Sequence, residues 1–435
     1  IRSGLFFIFV LMTIDRLHQL YMQYPVACTD TRQIKQACLF FALKGDNFDG
    51  NKFAAEALSK GAEYAIVDNA AYANSEKTIL VDSVLETLQQ LATYHRNQCS
   101  ARIIGLTGSN GKTTTKELMA AVLSKKYRTV ATRGNLNNHI GVPLTLLRIQ
   151  KDTELAIIEM GANHLEEIAF LCELAQPEYG YITNFGKAHL EGFGSEEGVI
   201  KGKSELYEYL LSHQKHVFLN ADDPIQEARL STYVKKIGFS TAKDNYYLIR
   251  FLGAHPFVAM EVEGLKIQTQ LIGSYNFSNC CAAVLMGKYF NVPINEIKEA
   301  LEYYVPENNR SQVIEKHGHR IILDAYNANP TSMRAALENF EQLRGSEKIV
   351  FLGDMFELGR QSEKEHQDTA DLVENMKFSD AYLIGEGFGK TQSSLKRYRT
   401  FEALSDYLKE HPLAPSQILI KGSRGMALER ILELL

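Results

Sequence analysis

The sequence has no CxxC pair, no dense run of Lys and Arg, no Pro/Ser-rich linker and no apolar stretch long enough to cross a bilayer. The six cysteines, Cys28, Cys38, Cys99, Cys172, Cys280 and Cys281, are scattered, and none lies at zinc-finger spacing from a histidine. That argues against a cysteine metal cluster or a disulfide framework and fits a reducing, cytoplasmic setting. Lys and Arg number 47 against 52 Asp and Glu, a formal charge of −5. Nucleic acid and anionic membranes are therefore not the expected partners, and single basic residues read as ligands for small anions. The apolar run Gly4–Met12 has nine residues, too few for a span. No small-residue cleavage site follows it, so residues 1–11 read as an upstream extension, with no stable membrane insertion.

What is present is a 435-residue chain with 45% hydrophobic and 23% charged residues, enough for several domains that each bury a core. Short apolar runs alternate with amphipathic segments, which predicts an α/β fold with mostly parallel sheets. Strands are expected at 38–43, 62–68, 102–108, 155–161, 179–184, 216–220, 320–326, 348–354, 381–387 and 417–423. Ser83 with Glu86 predicts a capping box for the helix that follows. Breaks near 97–101 and at "YVPENNRSQ" (304–312) divide the chain into 1–99, 100–306 and 307–435.

The most informative segment is "IIGLTGSNGKTTTKE" (103–117). A strand, a Gly-rich turn ending Gly-Lys-Thr-Thr and a helix form the context of a phosphate cradle. The standard pattern has a Gly five residues before Gly111, where this chain has Leu106; the nearest glycine is Gly108. In such a loop the backbone of Gly108, Ser109, Asn110, Gly111 and Lys112 faces phosphate at a helix N-terminus, with Thr114 in the first turn. Lys112 adds charge and Thr113 offers a hydroxyl to Mg²⁺. Glu159 ends an apolar strand, where α/β sheets expose catalytic groups, although a strand-terminal Glu by itself reads as a solvated edge residue. His189 and Asn184 by themselves read as loop and turn residues, and Lys203 as a solvent-facing helix lysine.

Taken together and in order, "TGSNGKTT", Glu159 in "EMGANH", "TN" (183–184) with His189, and "GKSELY" around Lys203 resemble the Mur ligase family. The resemblance extends to "DTR" (30–32), "LFFALKGDNFDGNKF" (39–53), "GSYNFSNCCAA" (273–283) and "LDAYNANPTSM" (323–333), nearly the whole chain. It implies three domains. A smaller α/β N-terminal domain would bind a UDP-sugar, a central P-loop ATPase domain would carry the mostly parallel sheet, and the C-terminal domain would be Rossmann-like. The forms "AHLEGFGS", "DAYNANP", "GDMFELG" (353–359) and "KGSRGM" (421–426) are similar to those of the branch that joins D-Ala-D-Ala to UDP-MurNAc-tripeptide, and the "DNPR" signature of a sister branch is absent. Two departures stand out: Tyr275 where His is frequent and His139 where an acidic residue is frequent. Some family members continue into an alanine racemase, so a following or fused domain is compatible with the end at "LERILELL".

The chemistry that the resemblance implies is ATP-driven amide formation through an acyl phosphate, helped by two Mg²⁺ ions. Lys112 would hold the β/γ phosphates, Thr113 and Glu159 the first Mg²⁺, and His189 and Lys203 the second. A lysine with pKa near ~10.4 is a cation and cannot ligate a metal; in the family that lysine becomes a carbamate by taking up CO₂. Asn279 would approach adenine, Arg310 the phosphates and Asp324 the ribose. Thr31, Arg32, Lys44 and Gly45 would contact the UDP-sugar, Tyr326, Asn327, Lys421 and Arg424 the D-Ala-D-Ala side, and Asn184 would be a further substrate residue. Because the nucleotide residues fall in two domains, closure is expected to be part of catalysis, from an open form with Asp324 far from the loop. Two alternatives remain at this point: a sister ligase or folylpolyglutamate synthase-like enzyme that adds a single amino acid, and a non-catalytic P-loop nucleotide switch.

Overall fold

The computed structural model describes residues 12–307, 309–345 and 347–435; the apolar run before Met12 lies outside them. The chain gathers into two compact units. One comprises the described residues through Gly105 with Arg128–Met160 and Phe170–Pro177, the other Leu106–Tyr127, Gly161–Ala169 and Glu178–Leu435.

In the first unit a four-stranded parallel sheet runs in the order Ala27–Cys28, Cys38–Phe41, Ala62–Val67, Thr78–Leu80. Every residue of "CLFF" is buried, as expected for a strand covered on both faces. Phe40, Ala42, Ala54, Ala57, Ala65 and Val67 fill the core beneath it. Helix Val84–Gln98 buries Leu88, Leu91 and Ala92. Only half of the expected capping box forms at its start: Ser83 Oγ accepts from Glu86 N at 3.3 Å, while no return bond from the Glu86 side chain is made. Strand Leu155–Glu159, buried throughout, pairs in parallel with Thr129–Ala131.

The second unit carries the parallel strands Tyr179–Ile182, His216–Asn220, Lys236–Ser240 and Tyr247–Leu248. Its six-stranded sheet has the order Gln312–Lys316, His319–Asp324, Gln417–Lys421, Lys348–Gly353, Asp380–Ile384, Lys396–Tyr398, parallel except for the first pair. Ile321, Leu323, Phe351, Tyr382, Ile418 and Ile420 form its core. All ten expected strands are present, trimmed mostly at their C-terminal ends, where the residues turn into loops. A three-stranded antiparallel sheet, Arg250–Ala254, Phe257–Val262 and Leu265–Ile272, was not anticipated. Its buried residues alternate with exposed ones, the period-2 pattern of a sheet with one wet face.

Candidate active site

The shortened loop is shaped from outside by the two residues that follow strand Tyr179–Ile182. Asn184 Oδ1 accepts from Asn110 N at 3.1 Å and its Nδ2 donates to Asn110 O at 3.0 Å. Thr183 Oγ1 donates to the same carbonyl at 2.6 Å, and Ser109 N donates to Asn184 O at 3.0 Å. Two positions in the loop require glycine. Gly108 has φ +138°, and a Cβ there would fall 2.0 Å from Thr183 Oγ1. Gly111 has φ +80°, and its Cβ would fall 2.5 Å from Asn279 Oδ1. Helix Lys112–Leu123 starts directly after Gly111, so its N-terminal amides open onto the loop. Lys112 Nζ folds back to Gly108 O at 2.7 Å.

Helix Glu196–Ser212, capped by Ser195, brings Lys203 under this loop's surroundings. Lys203 is 0% exposed, whereas Lys201 is exposed, so the solvent-facing reading of Lys203 is overturned. Its Nζ donates to Ala162 O at 2.8 Å and lies 4.9 Å from the Phe193 ring centroid. Burial, and then the nearby Lys112 charge, hold its pKa well below the usual lysine range against the pull of Glu167 and Glu205. His189 starts a short helix in the left-handed conformation, φ +54°, and its Nδ1 bonds the Glu357 carboxylate. Burial lowers its pKa while Glu357 opposes that shift.

The C-terminal residues meet the loop directly. Asn329 Nδ2 donates to Asn110 Oδ1 at 2.7 Å, and Lys187 N donates to Thr331 Oγ1 at 3.1 Å. The first of these bonds joins the segment that follows Asp324 to the loop. Asp324 itself accepts from Lys421 Nζ at 2.5 Å and from Ser311 N at 3.2 Å. Tyr275, which stands where His is frequent in the family, hydrogen-bonds Ser311 Oγ at 3.0 Å. The Arg310 guanidinium stacks 3.7 Å over the Tyr326 ring, with Arg424 5.8 Å from the same ring. Lys421 Nζ also reaches Asn327 O at 3.3 Å. Asn279 takes Thr115 Oγ1 on its Oδ1 at 3.0 Å and gives its Nδ2 to Asn276 at 2.8 Å, which braces the loop helix.

In the first unit Glu159 is 1% exposed, so it is no solvated edge residue; Asn137 Nδ2 donates to its Oε1 at 2.8 Å. His139 is exposed and offers its backbone carbonyl to Gln89. Thr31 and Arg32 lie in a 3₁₀ turn capped by Asp30. Arg32 forks onto Asp30 at 2.9 and 2.8 Å and draws its carboxyl down to about 2. Lys44 pairs with Asp68 at 2.7 Å, and with Gly45 it forms one arm of a two-stranded hairpin.

Family comparisons agree along the chain. Residues 27–96 match the Mur ligase family catalytic domain, 106–287 the Mur ligase middle domain and 309–430 the Mur ligase glutamate ligase domain. The chain is 35% identical to the UDP-N-acetylmuramoyl-tripeptide–D-alanyl-D-alanine ligase of Bacillus subtilis (strain 168), covering 93% of this chain and 92% of that protein. The chain belongs to the Mur ligase family. Its fold is similar to the crystal structure of MurF from Acinetobacter baumannii (32% identity, TM-score 0.81, 95% of this chain and 97% of that one). It is also similar to MurF ligase from Thermotoga maritima in complex with ADP (26% identity, TM-score 0.81, 94% and 96% covered).

Within this Mur ligase the structure brings Asn184 against the loop at Asn110 and sets Lys112, His189 and Lys203 within electrostatic reach of one another, while Asp324 pairs with Lys421. Sequence reasoning missed Asn329, Glu357 and Asn137 as partners of those residues. The Asn-Pro of a helix N-cap marks Asn329, which caps helix Pro330–Gln342; Glu357 and Asn137 carry no signal beyond the motifs around them. Among the described residues no three of His, Cys, Asp and Glu converge as a metal site. Taken singly, the Thr113 hydroxyl and the Glu159 carboxylate are oxygen donors of the kind that hard cations take. Burial and the Lys112 charge disfavour the ammonium form of Lys203. No helix among the described residues is long and apolar enough to cross a membrane.

Proposed function

We propose that this Mur ligase joins D-Ala-D-Ala to UDP-MurNAc-tripeptide at the expense of ATP, in the cytoplasm. The carrying observation is the near full-length similarity, at 35% identity, to a ligase named for that reaction. The likeness to a MurF ligase complexed with ADP supports ATP as the nucleotide. The division 1–99, 100–306 and 307–435 is proposed for the UDP-sugar, ATP and C-terminal domains.

A carboxylate and an amine do not condense in water; the carboxylate must first be phosphorylated, which brings two anions together. The residues at hand address that repulsion by charge and alignment. Gly108 to Thr114 cradle the triphosphate, Lys112 neutralises its β/γ oxygens, and Arg310 is held over Tyr326 to approach the phosphates. Asp324 is proposed to bind ribose and Asn279 to sit near adenine. Thr113 and Glu159 would hold one Mg²⁺, and His189 with Lys203, as its carbamate, another; these cations supply charge neutralisation at phosphate. Thr31, Arg32, Lys44 and Gly45 are assigned to the UDP-sugar side, Tyr326, Asn327, Lys421 and Arg424 to the dipeptide side, and Asn184 to substrate. For Asn184 the two bonds to Asn110 favour a loop-shaping contribution as well.

The test is phosphate release with UDP-MurNAc-tripeptide and ATP, offering D-Ala-D-Ala against single amino acids. Turnover with a single amino acid but not with the dipeptide would point to the sister-ligase reading, and nucleotide binding without turnover to a switch.

A further inference from the structure

Glu357 has no assigned part in the chemistry, yet its surroundings hold it against His189. Its loop, 353–358, is pinned at three points. Asp354 accepts from Gly387 N at 2.8 Å and Phe388 N at 2.9 Å, Met355 N donates to His366 Nε2 at 3.1 Å, and Phe356 N donates to Ser423 Oγ at 2.9 Å. Glu357 then takes a left-handed conformation, φ +61°, and meets His189, itself at φ +54°. Side chains seldom adopt this region, and such outliers cluster where surrounding structure over-determines them. The partner loop is fixed as firmly. Glu191 N donates to Glu357 O at 3.0 Å, and Lys187 Nζ reaches Glu365 at 3.0 Å and Glu196 at 3.3 Å.

We infer that Glu357 is a positioning residue that sets the tautomer and ring direction of His189. A carboxylate only accepts hydrogen bonds, so the Nδ1 facing it must carry the proton. In a neutral imidazole the lone pair is then left on Nε2, the nitrogen available to the reacting phosphate's cation. Partners of this kind typically change metal affinity or activity by about 10–100-fold when removed. Because Glu357 lies beyond Asp324 in sequence and His189 before it, docking of the C-terminal segment would complete the imidazole's orientation. The inference rests on the ligase reading of this site, and the experiment keeps the two separable.

The full chain labelled with ¹⁵N-histidine reports each ring's tautomer by NMR at fixed pH, and His189→Gln assigns the His189 signals. Wild type should show the Nδ1–H form. Glu357→Ala should move His189 toward the Nε2–H form that a free imidazole prefers and lower kcat about 10–100-fold with the KM for ATP unchanged. Glu357→Gln retains an acceptor oxygen and should restore both the tautomer and most of kcat. The side chain of Glu357 is half exposed, and an unchanged thermal midpoint would show that Glu357→Ala folds. An unchanged tautomer or unchanged kcat in Glu357→Ala overturns the inference. So does a Glu357→Gln variant that keeps the tautomer but loses as much kcat as the alanine variant. The expected tautomer pattern in a wild type that releases no phosphate with D-Ala-D-Ala would instead count against the function.

Discussion

Asn184 holds the backbone of Asn110 at both ends, its Oδ1 taking the amide proton at 3.1 Å and its Nδ2 bonding the carbonyl at 3.0 Å. The side chain thus pairs with the Asn110 backbone as a neighbouring strand would. Asn184→Ala removes both bonds, each worth about 0.5–1.5 kcal/mol. ADP affinity measured by calorimetry should fall roughly tenfold. Asn184→Asp keeps the acceptor but turns the donor into a carboxylate oxygen facing the Asn110 carbonyl and adds negative charge beside the phosphate loop, so its ADP affinity should fall at least as far as that of Asn184→Ala.

Lys203 offers a test in pH. Its pKa is depressed by burial and by Lys112, so across the interval from that lowered value to the unfolded value near ~10.4 the unfolded chain binds more protons. Stability therefore rises with pH over that interval and is lost as pH falls through it. Lys203→Met removes the dependence. In CO₂-depleted buffer, urea midpoints of wild type and Lys203→Met should converge, or wild type should overtake, as pH rises from neutral toward ten. A constant difference would mean that Lys203 is not held neutral. Phosphate release by Lys203→Met should be near background at every bicarbonate level, while wild type should gain activity as bicarbonate is restored.

The parallel strands were readable because their apolar runs are continuous and buried on both faces, as in "CLFF" and "KIVFLG". The antiparallel sheet 250–272 was not, because its alternating residues resemble a polar loop unless the period is counted. The loop glycines were legible from spacing, since only glycine suits the contacts at Gly108 and Gly111. The role of Lys203 was legible only through family resemblance and its burial not at all: helix "EEGVIKGKSELYEYLLS" offers two lysines, and the Ala162 carbonyl that one of them reaches lies 41 positions away. The partners of Glu357 and Asn329 were not legible, because each side chain acts on a residue more than 150 positions away, although Asn-Pro marks Asn329 as a helix cap.

Asp324 and Lys421 form a pair with Lys421 almost wholly buried. Asp324→Ala leaves that ammonium without its carboxylate and should cost about 3–5 kcal/mol in urea unfolding. Adding Lys421→Met to the same chain should recover most of the loss, since the stranded charge is gone. Neither protein should regain ligase activity, because the proposed ribose contact is absent from both. If the double variant is no more stable than Asp324→Ala, the pair is not the source of the cost.

Asn329 has two jobs that one substitution can separate. Its Oδ1 caps helix Pro330–Gln342 by accepting from Ser332 N at 2.9 Å, and its Nδ2 donates to Asn110 Oδ1 at 2.7 Å. Asn329→Asp preserves the cap, and a carboxylate suits a helix N-terminus, so stability should stay within about 0.5 kcal/mol of wild type. The same change turns a donor into an acceptor facing Asn110 and adds negative charge beside the phosphate loop. The KM for ATP should then rise about tenfold or more, the equivalent of at least about 1.4 kcal/mol. Asn329→Ala should lose the cap as well, about 1 kcal/mol in urea unfolding, with a smaller rise in KM because no charge is introduced. Steady-state kinetics and urea melts on the two variants thus separate capping from docking, and a KM unchanged from wild type in both would remove Asn329 from the nucleotide site.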